Sequence, residues 1–339
     1  MKGIGKGRVL VTGGAGFIGS ALVWALNQRG VEDVLVADFL DETEKWRNLT
    51  PLAYADYIEA DELLALVRED SSRLRGITTI LHMGACSSTT ERDSAYLVRN
   101  NFEYTKTLAK WALSRDIRFV YASSAATYGD GARGMSDEAD LASLRPLNMY
   151  GYSKQMFDAW AQREGLLDSI VGVKFFNVFG PNEDHKGDMK SLVQKAYHQV
   201  LETGSIRLFK SYRPEYADGE QKRDFVYVKD AAAMTLFLAE NESANGLYNV
   251  GTGRASTWND LARSVFAAIE KPVQIEYVEM PDALRGKYQY FTQATVSRLA
   301  SAGWTRPATS LADAVKDYVR DYLVPDARLG DGANERGAA

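Results

Sequence analysis

The sequence predicts an α/β protein built on a doubly wound parallel sheet, with a second, smaller mixed α/β lobe. Three observations predict it. A strand from Arg8 to Thr12 runs into Gly13-Gly14-Ala15-Gly16-Phe17-Ile18-Gly19 and then into a helical run from Ser20 to Arg29. Strand and helix patterns alternate from there to Phe176, an order that calls for right-handed parallel crossovers. The polar residues with useful chemistry fall at the carboxyl ends of the predicted strands, where an open parallel sheet has its ligand crevice.

The elements follow in order. Arg8-Val9-Leu10-Val11-Thr12 is apolar enough to be a buried strand, and a second strand from Asp33 to Ala37 ends at Asp38. Further strands are expected near Tyr57, from Thr78 to His82, from Arg118 to Ser123 and from Ile170 to Phe176. The pattern then becomes mixed: a helix from Met189 to Leu201, a short strand from Ile206 to Phe209 and an irregular stretch from Lys210 to Gln221. Phe225 to Val228 and a helix from Asp230 return to the first domain. A helix from Trp258 to Ile269, a strand from Gln274 to Val278 and a helix from Leu311 to Leu323 complete the smaller lobe. The expected division is therefore 1–178 plus about 223–254 for the dinucleotide-binding domain, and about 179–222 plus 255–324 for the substrate lobe. From Pro325 to Ala339 the chain turns to Gly, Asp and Asn and reads as a disordered tail.

The glycine turn has a specific chemistry. A tight turn between a strand and a helix lets the backbone approach a pyrophosphate closely, and the free N–H groups and dipole of the helix N-terminus favour that anion. Asp38, nineteen residues beyond Gly19, stands where an acid accepts the ribose hydroxyls of a dinucleotide in a Rossmann unit. Its charge repels a ribose 2′-phosphate and argues for NAD, whereas Lys45 and Arg47 in the following loop offer cations to neutralise one and argue for NADP. The sequence leaves that choice open.

Tyr150 and Lys154 lie four residues apart, a spacing that stacks a phenol and an ammonium on one helix face. A cation beside a phenol favours the phenolate and brings tyrosine towards use as a base. Ser124, at the end of the fifth strand, can donate to a substrate oxygen that gains charge. Pro181 and Gly187 bracket a turn that brings His185 and Lys186 above the same crevice. A lysine desolvated there exchanges protons more readily; the other readings are a phosphate clamp or a solvated loop residue. His82 reads as a satisfied core histidine, and Cys86 as a small packing residue.

Composition sets the bounds. With 339 residues, 45% hydrophobic and 25% charged, the chain can bury a large core. A net charge of −5 gives no general attraction to nucleic acid or to anionic membranes. One cysteine excludes an intramolecular disulfide and a cysteine-rich zinc site, and three scattered histidines argue against any metal centre. No apolar signal core and no membrane-length apolar run is present, so a cytoplasmic protein is expected.

The glycine turn spaced Gly13-x-x-Gly16-x-x-Gly19, Ser124 and the Tyr150/Lys154 pair together resemble the extended short-chain dehydrogenase/reductase family, from Arg8 to about Leu323. The resemblance implies that Ser124, Tyr150 and Lys154 form the catalytic group, with Lys154 also holding the nicotinamide ribose. Members that dehydrate sugar nucleotides carry an Asp-Glu pair directly after the hydroxyl residue. Here those positions are Ala125 and Ala126, and a methyl group delivers no proton, so dehydration is disfavoured.

Longer runs are similar to the branch of that family that epimerises ADP-linked heptoses: Gly84 to Glu91, Tyr121 to Gly129, His185-Lys186-Gly187, Lys222 to Val228 and Tyr288 to Gln293. This similarity implies inversion at C6 of ADP-D-glycero-D-manno-heptose by transient oxidation and re-reduction, with one tightly bound NADP, or NAD, per subunit. It implies Lys186 as a second acid/base opposite Tyr150. The implied cofactor contacts are Gly13, Gly16, Phe17, Ile18, Gly19, Asp38, Phe39, Lys45, Met83, Gly84, Ala85, Cys86, Ser87, Asn100, Tyr150, Lys154, Val178 and Lys186. The implied substrate contacts are Ser124, Asn177, Asp188, Lys195, Phe209, Arg223 and Tyr288. It also implies a homo-oligomer, with a pentamer as one assembly, and a place in lipopolysaccharide core synthesis. The chain departs from better-known members at Asp188, at Lys195 and in a longer segment from Lys210 to Lys222. Another nucleotide-sugar epimerase or reductase is the second reading. A non-catalytic dinucleotide sensor is the third, and retention of Tyr150, Lys154 and Ser124 argues against it.

Overall fold

The computed structural model describes residues 4–285 and 288–332. Its first half alternates as β1 (Arg8–Thr12), α1 (Phe17–Asn27), β2 (Val34–Asp38), β3 (Asp56–Glu59), α2 (Ala60–Arg68), β4 (Ile77–His82), α3 (Ser94–Leu97), α4 (Tyr104–Leu113), β5 (Arg118–Ser124), α5 (Met149–Arg163) and β6 (Val171–Phe175). Beyond these come β7 (Asn177–Phe179), α6 (Leu192–Thr203), β8 (Ile206–Phe209), β9 (Lys222–Arg223), β10 (Phe225–Tyr227), α7 (Val228–Glu240) and β11 (Gly246–Val250). The chain continues as β12 (Ser256–Thr257), α8 (Trp258–Ala268), β13 (Ile275–Val278), α9 (Asp282–Arg285), α10 (Ser297–Ser301) and α11 (Leu311–Asp317).

Seven parallel strands form the central sheet in the order β3-β2-β1-β4-β5-β6-β11. Successive side chains of a strand point to opposite faces, so Val9 and Val11 enter one core while Leu10 enters the other. Helices α1 and α7 pack together over the first face, and α2, α4 and α5 cover the second. The strand order reverses between β1 and β4, and the crevice above that switch point holds the residues discussed below. A smaller parallel pair, β8 with β13, lies with α6 and α8 at the carboxyl end of the sheet.

Three expectations need correction. The helix after the glycine turn begins at Phe17 and not at Ser20, because the turn closes early: the Gly16 N–H donates to the Gly13 carbonyl at 3.0 Å and Ser20 N–H to Gly16 at 2.9 Å. The helix expected from Met189 starts at Leu192, capped by Ser191, whose hydroxyl accepts from the Gln194 N–H. The stretch after Pro325 is packed against the fold at Arg328 and Leu329. Leu329 is wholly buried, its N–H donates to Asn182 Oδ1 at 3.1 Å, and Arg328 pairs with Asp184 at 3.2 Å. One leucine and one arginine anchor a segment whose overall composition looks disordered. The rest of that expected tail, residues 333–339, lies outside the described residues.

Candidate active site

The carboxyl ends of β1, β2, β4, β5 and β6 surround one cavity of about 710 Å³. At its floor, Gly13 has φ +65° and its N–H donates to the Ala37 carbonyl at 2.7 Å. A Cβ on Gly19 would stand 1.9 Å from the Gly13 carbonyl oxygen, so the first turn of α1 can lie against β1 only without a side chain there. The open N-terminus of α1 therefore faces the cavity as an anion cradle, which is the observation that fits a dinucleotide pyrophosphate here.

Asp38 ends β2 almost fully buried. Its Oδ2 accepts from the Ala15 and Gly16 N–H groups at 2.9 and 3.1 Å, and its Oδ1 accepts from the Phe39 N–H at 2.7 Å and from Lys45 Nζ at 3.0 Å. The acid thus ties the turn to β2 and is already neutralised by Lys45. Arg47 lies exposed, paired with Glu44 and Asp326, and does not line the cavity.

Across the floor, β4 ends at His82, which bridges Thr12 Oγ1 at 2.6 Å and Thr105 Oγ1 at 2.9 Å. Burial, with help from the nearby Lys154 cation, pushes its pKa down to about 3, so it is a neutral structural histidine. The Met83 to Ser87 loop follows along the cavity wall. Asn101 grips this loop, accepting from the Cys86 N–H and donating to the Cys86 carbonyl, both at 2.9 Å, while also donating to Ser153 on α5. It sits in a π-helical turn from Val98 to Glu103, where one extra residue per turn re-aims the side chains. Asn100 faces the cavity and donates to the Tyr96 carbonyl. Sequence reasoning missed Asn101, because nothing in an Asn-Asn pair signals which one turns inward.

Helix α5 supplies Tyr150 and Lys154. Asn148 caps it through the Gly151 N–H at 2.8 Å, and a Cβ on Gly151 would meet the Ala126 carbonyl at 2.8 Å. Glycine at this point lets the first turn of α5 rest on the turn that follows β5, which brings Tyr150 to Ser124. The Ser124 hydroxyl hydrogen-bonds the phenol and opposes an upward pKa shift caused by burial. The Lys154 ammonium donates to the Ala122 carbonyl at 2.8 Å. Burial pushes Lys154 itself down to about 8, with Asp158 and Cys86 pulling the other way.

Lys186 enters from the loop after β7. Its Nζ lies 4.7 Å over the Phe17 ring, and its side chain is 22% exposed. Burial lowers its pKa and the Glu183 carboxylate, 4.0 Å away, opposes that. Tyr150, Lys154, Ser124 and Lys186 thus line a single cavity, as do all the residues expected to touch the cofactor.

The expected substrate residues divide. Ser124 and Asn177 line the cavity, with Asn177 Oδ1 accepting from Thr292 at 3.1 Å. Asp188 and Lys195 do not: both are exposed, and Lys195 Nζ donates to the Asp188 carbonyl at 2.6 Å. Arg223, Tyr288 and Phe209 stand just behind the wall. Arg223 lies against the rings of Trp258 and Tyr288 at 5.5 and 5.1 Å and donates to the Lys222 and Gln289 carbonyls, while Phe209 meets Tyr288 edge-on. Trp258, Gln289 and Thr292 reach the cavity in their place. An aromatic stack turns the arginine inward, a long-range packing outcome with no local signal.

Residues 9–251 match the NAD dependent epimerase/dehydratase family. The chain belongs to that family. Among its relatives, an ADP-L-glycero-D-manno-heptose-6-epimerase of Nitratidesulfovibrio vulgaris is 53% identical over 315 residues, covering 93% of this chain and 97% of the relative. One of the same name from Fusobacterium nucleatum is 45% identical, covering 94% and 98%. In three dimensions the chain is similar to the Helicobacter pylori ADP-L-glycero-D-manno-heptose-6-epimerase, with TM-score 0.78 and 26% identity over 94% of this chain and 96% of that one. It is also similar to the Thermus thermophilus UDP-glucose 4-epimerase in complex with NAD, with TM-score 0.74 and 27% identity over 94% and 100%. For this epimerase/dehydratase family member, the glycine cradle, Asp38 and the Met83 to Ser87 loop form a cavity fitted to a nicotinamide dinucleotide. Among the described residues, no group of three or more His, Cys, Asp or Glu is placed to hold a metal ion, and no helix is long and apolar enough to cross a membrane.

Proposed function

We propose that this protein inverts C6 of ADP-D-glycero-D-manno-heptose to give ADP-L-glycero-D-manno-heptose. The observation that carries the reading is the convergence of two titratable side chains from separate elements, Tyr150 on α5 and Lys186 after β7, on the cavity that the glycine turn opens into. The shared name of relatives at 45% and 53% identity supports the substrate.

The carbinol C–H at C6 is not acidic, so direct proton exchange cannot invert it. When bound at the turn, a nicotinamide supplies a hydride acceptor that later returns the same hydride, letting the alcohol pass through its ketone without net oxidation. The residues of this chain handle everything else. Gly13, Gly16 and Gly19 leave room for the pyrophosphate and present the helix N–H groups to it. Lys154, held at Ala122 on the β5 side, orients the ribose. Ser124 donates to the C6 oxygen, holding it beside the phenol. One of Tyr150 and Lys186 removes the hydroxyl proton, and the other supplies one when the hydroxyl re-forms on the opposite side. Two carriers are required because the oxygen points to different walls in the two epimers.

The dinucleotide in this reading is NADP, or NAD, tightly held with one per subunit; Lys45, paired with Asp38, offsets the charge that would repel a ribose 2′-phosphate. The protein then acts as a cytoplasmic homo-oligomer, a pentamer being one form, in lipopolysaccharide core synthesis. Incubation with ADP-D-glycero-D-manno-heptose in deuterated water, followed by NMR, tests the activity. Inverted C6 with no deuterium at that carbon is expected. With free dinucleotide added, steady accumulation or consumption of NAD(P)H would point instead to a dehydrogenase or reductase with net redox turnover, and cofactor binding without turnover of any ADP-sugar to a sensor.

A further inference from the structure

We infer that Glu183 is a positioning residue for Lys186: its buried carboxylate holds the lysine ammonium against the ring of Phe17, above the glycine turn. The inference rests on the proposed role of Lys186 as a proton carrier.

Glu183 has no exposed surface, and a carboxylate so placed needs compensation from every side. Ser191, the N-cap of α6, donates its N–H to Oε2 and its hydroxyl to Oε1, both at 2.6 Å. The buried Tyr318 phenol also interacts electrostatically with the carboxylate. The N-terminal dipole of the twelve-residue α6 adds to this. The remaining partner is Lys186, whose Nζ is 4.0 Å from Oε2 and 4.7 Å from the centre of the Phe17 ring. A negative group and a π face thus bracket the ammonium.

The loop that carries both residues is itself fixed. Asn182, at φ +75°, donates to Ser20 Oγ at 3.0 Å and accepts from the Leu329 N–H. Asp184 is paired with Arg328, so the C-terminal segment braces the same loop. The other charges near Lys186 do not replace Glu183. Lys195 on α6 disfavours a second cation, and burial holds His185 near neutrality of charge with a pKa of about 4, in a field that includes Lys45 and Lys190. Burial and the Lys195 cation lower the Lys186 pKa, and Glu183 is the group that opposes them and favours the ammonium.

The test reads Lys186 directly. Lysines of the full-length protein with its bound cofactor are reductively methylated with ¹³C-formaldehyde, and the Lys186 methyl signal is assigned by its loss in Lys186→Arg. In Glu183→Gln the titration midpoint of that signal moves to lower pH by about one unit, as loss of an opposite charge at this range requires. In Glu183→Asp, where the carboxylate is kept but withdrawn, the midpoint falls between the two, and this variant carries the measurement if Glu183→Gln does not fold. An unmoved midpoint in the folded variants overturns the inference, even if turnover falls, because a merely structural role would do that. A wild-type protein that titrates as described but leaves C6 of the ADP-heptose unchanged removes the epimerase reading while the Glu183–Lys186 coupling stands.

Discussion

Lys174 on β6 places its Nζ 2.5 Å from Asp158 Oδ2 on α5, and both side chains are sealed from water. The same carboxylate accepts from Tyr121 at 2.8 Å and from Ser123 at 2.7 Å, and Lys174 also donates to Thr127 at 2.8 Å. The end of β5, the turn after it, β6 and α5 therefore meet at one ion pair, next to Ser124 and one helical turn from Lys154.

Breaking that pair leaves an uncompensated charge in the core. Lys174→Met or Asp158→Leu alone is expected to cost about 3–5 kcal/mol, whereas the apolar pair that combines them loses less than the sum of its singles. Urea unfolding of the four proteins measures this. Single variants with the wild-type midpoint would show that the network contributes nothing to folding.

Gly19→Ala forces a methyl group to within 1.9 Å of the Gly13 carbonyl unless the turn opens. A loss of about 1–3 kcal/mol is expected from overpacking, together with loss of bound dinucleotide on purification. The ratio of absorbance at 260 to 280 nm before and after perchloric acid extraction reports the cofactor.

Tyr150→Phe and Lys186→Ala are each expected to lower kcat by two or more orders of magnitude while cofactor stays bound, as loss of a positioned acid/base does. Turnover near that of the wild type in Tyr150→Phe would exclude the phenol as a proton carrier.

Lys154 couples stability to pH. Its pKa in the folded protein is about 8, below the ordinary lysine value of about 10.4, so between these limits the unfolded chain holds more protons than the folded one. The sign follows: the contribution of Lys154 to stability rises with pH across this window and is lowest below pH 8, where both states carry the charge. Unfolding free energies of wild type and Lys154→Met, compared from pH 7 to 10.5, are expected to shift in favour of the wild type as pH rises. A constant difference would contradict the lowered value.

Lys45→Ala is expected to weaken NADP binding by about tenfold or more relative to NAD, since a bond between charged groups is worth about 1.5–3 kcal/mol. Titration of the apo-protein with each dinucleotide decides it, and an unchanged ratio would remove Lys45 from cofactor selection.

The sequence by itself determined the parallel sheet, the glycine turn, Asp38 at the end of β2 and the Tyr150/Lys154 pair. Each is written in a short window, where spacing fixes geometry: a strand that must bury, a turn that must lack side chains, two residues one helical turn apart. Only the tertiary structure decided which carboxylate meets which cation. Asp158 and Lys174 are sixteen residues apart and look like ordinary surface charges. Arg223 turns behind Trp258 and Tyr288, Lys195 turns outward to Asp188, and Asn101 is the neighbour that grips the Cys86 loop. The segment around Leu329 returns to brace a loop nearly 150 residues earlier, with 147 separating it from Asn182. Such contacts are set by how buried surfaces fit and by the need of every buried charge for a partner, and neither is encoded at any local spacing.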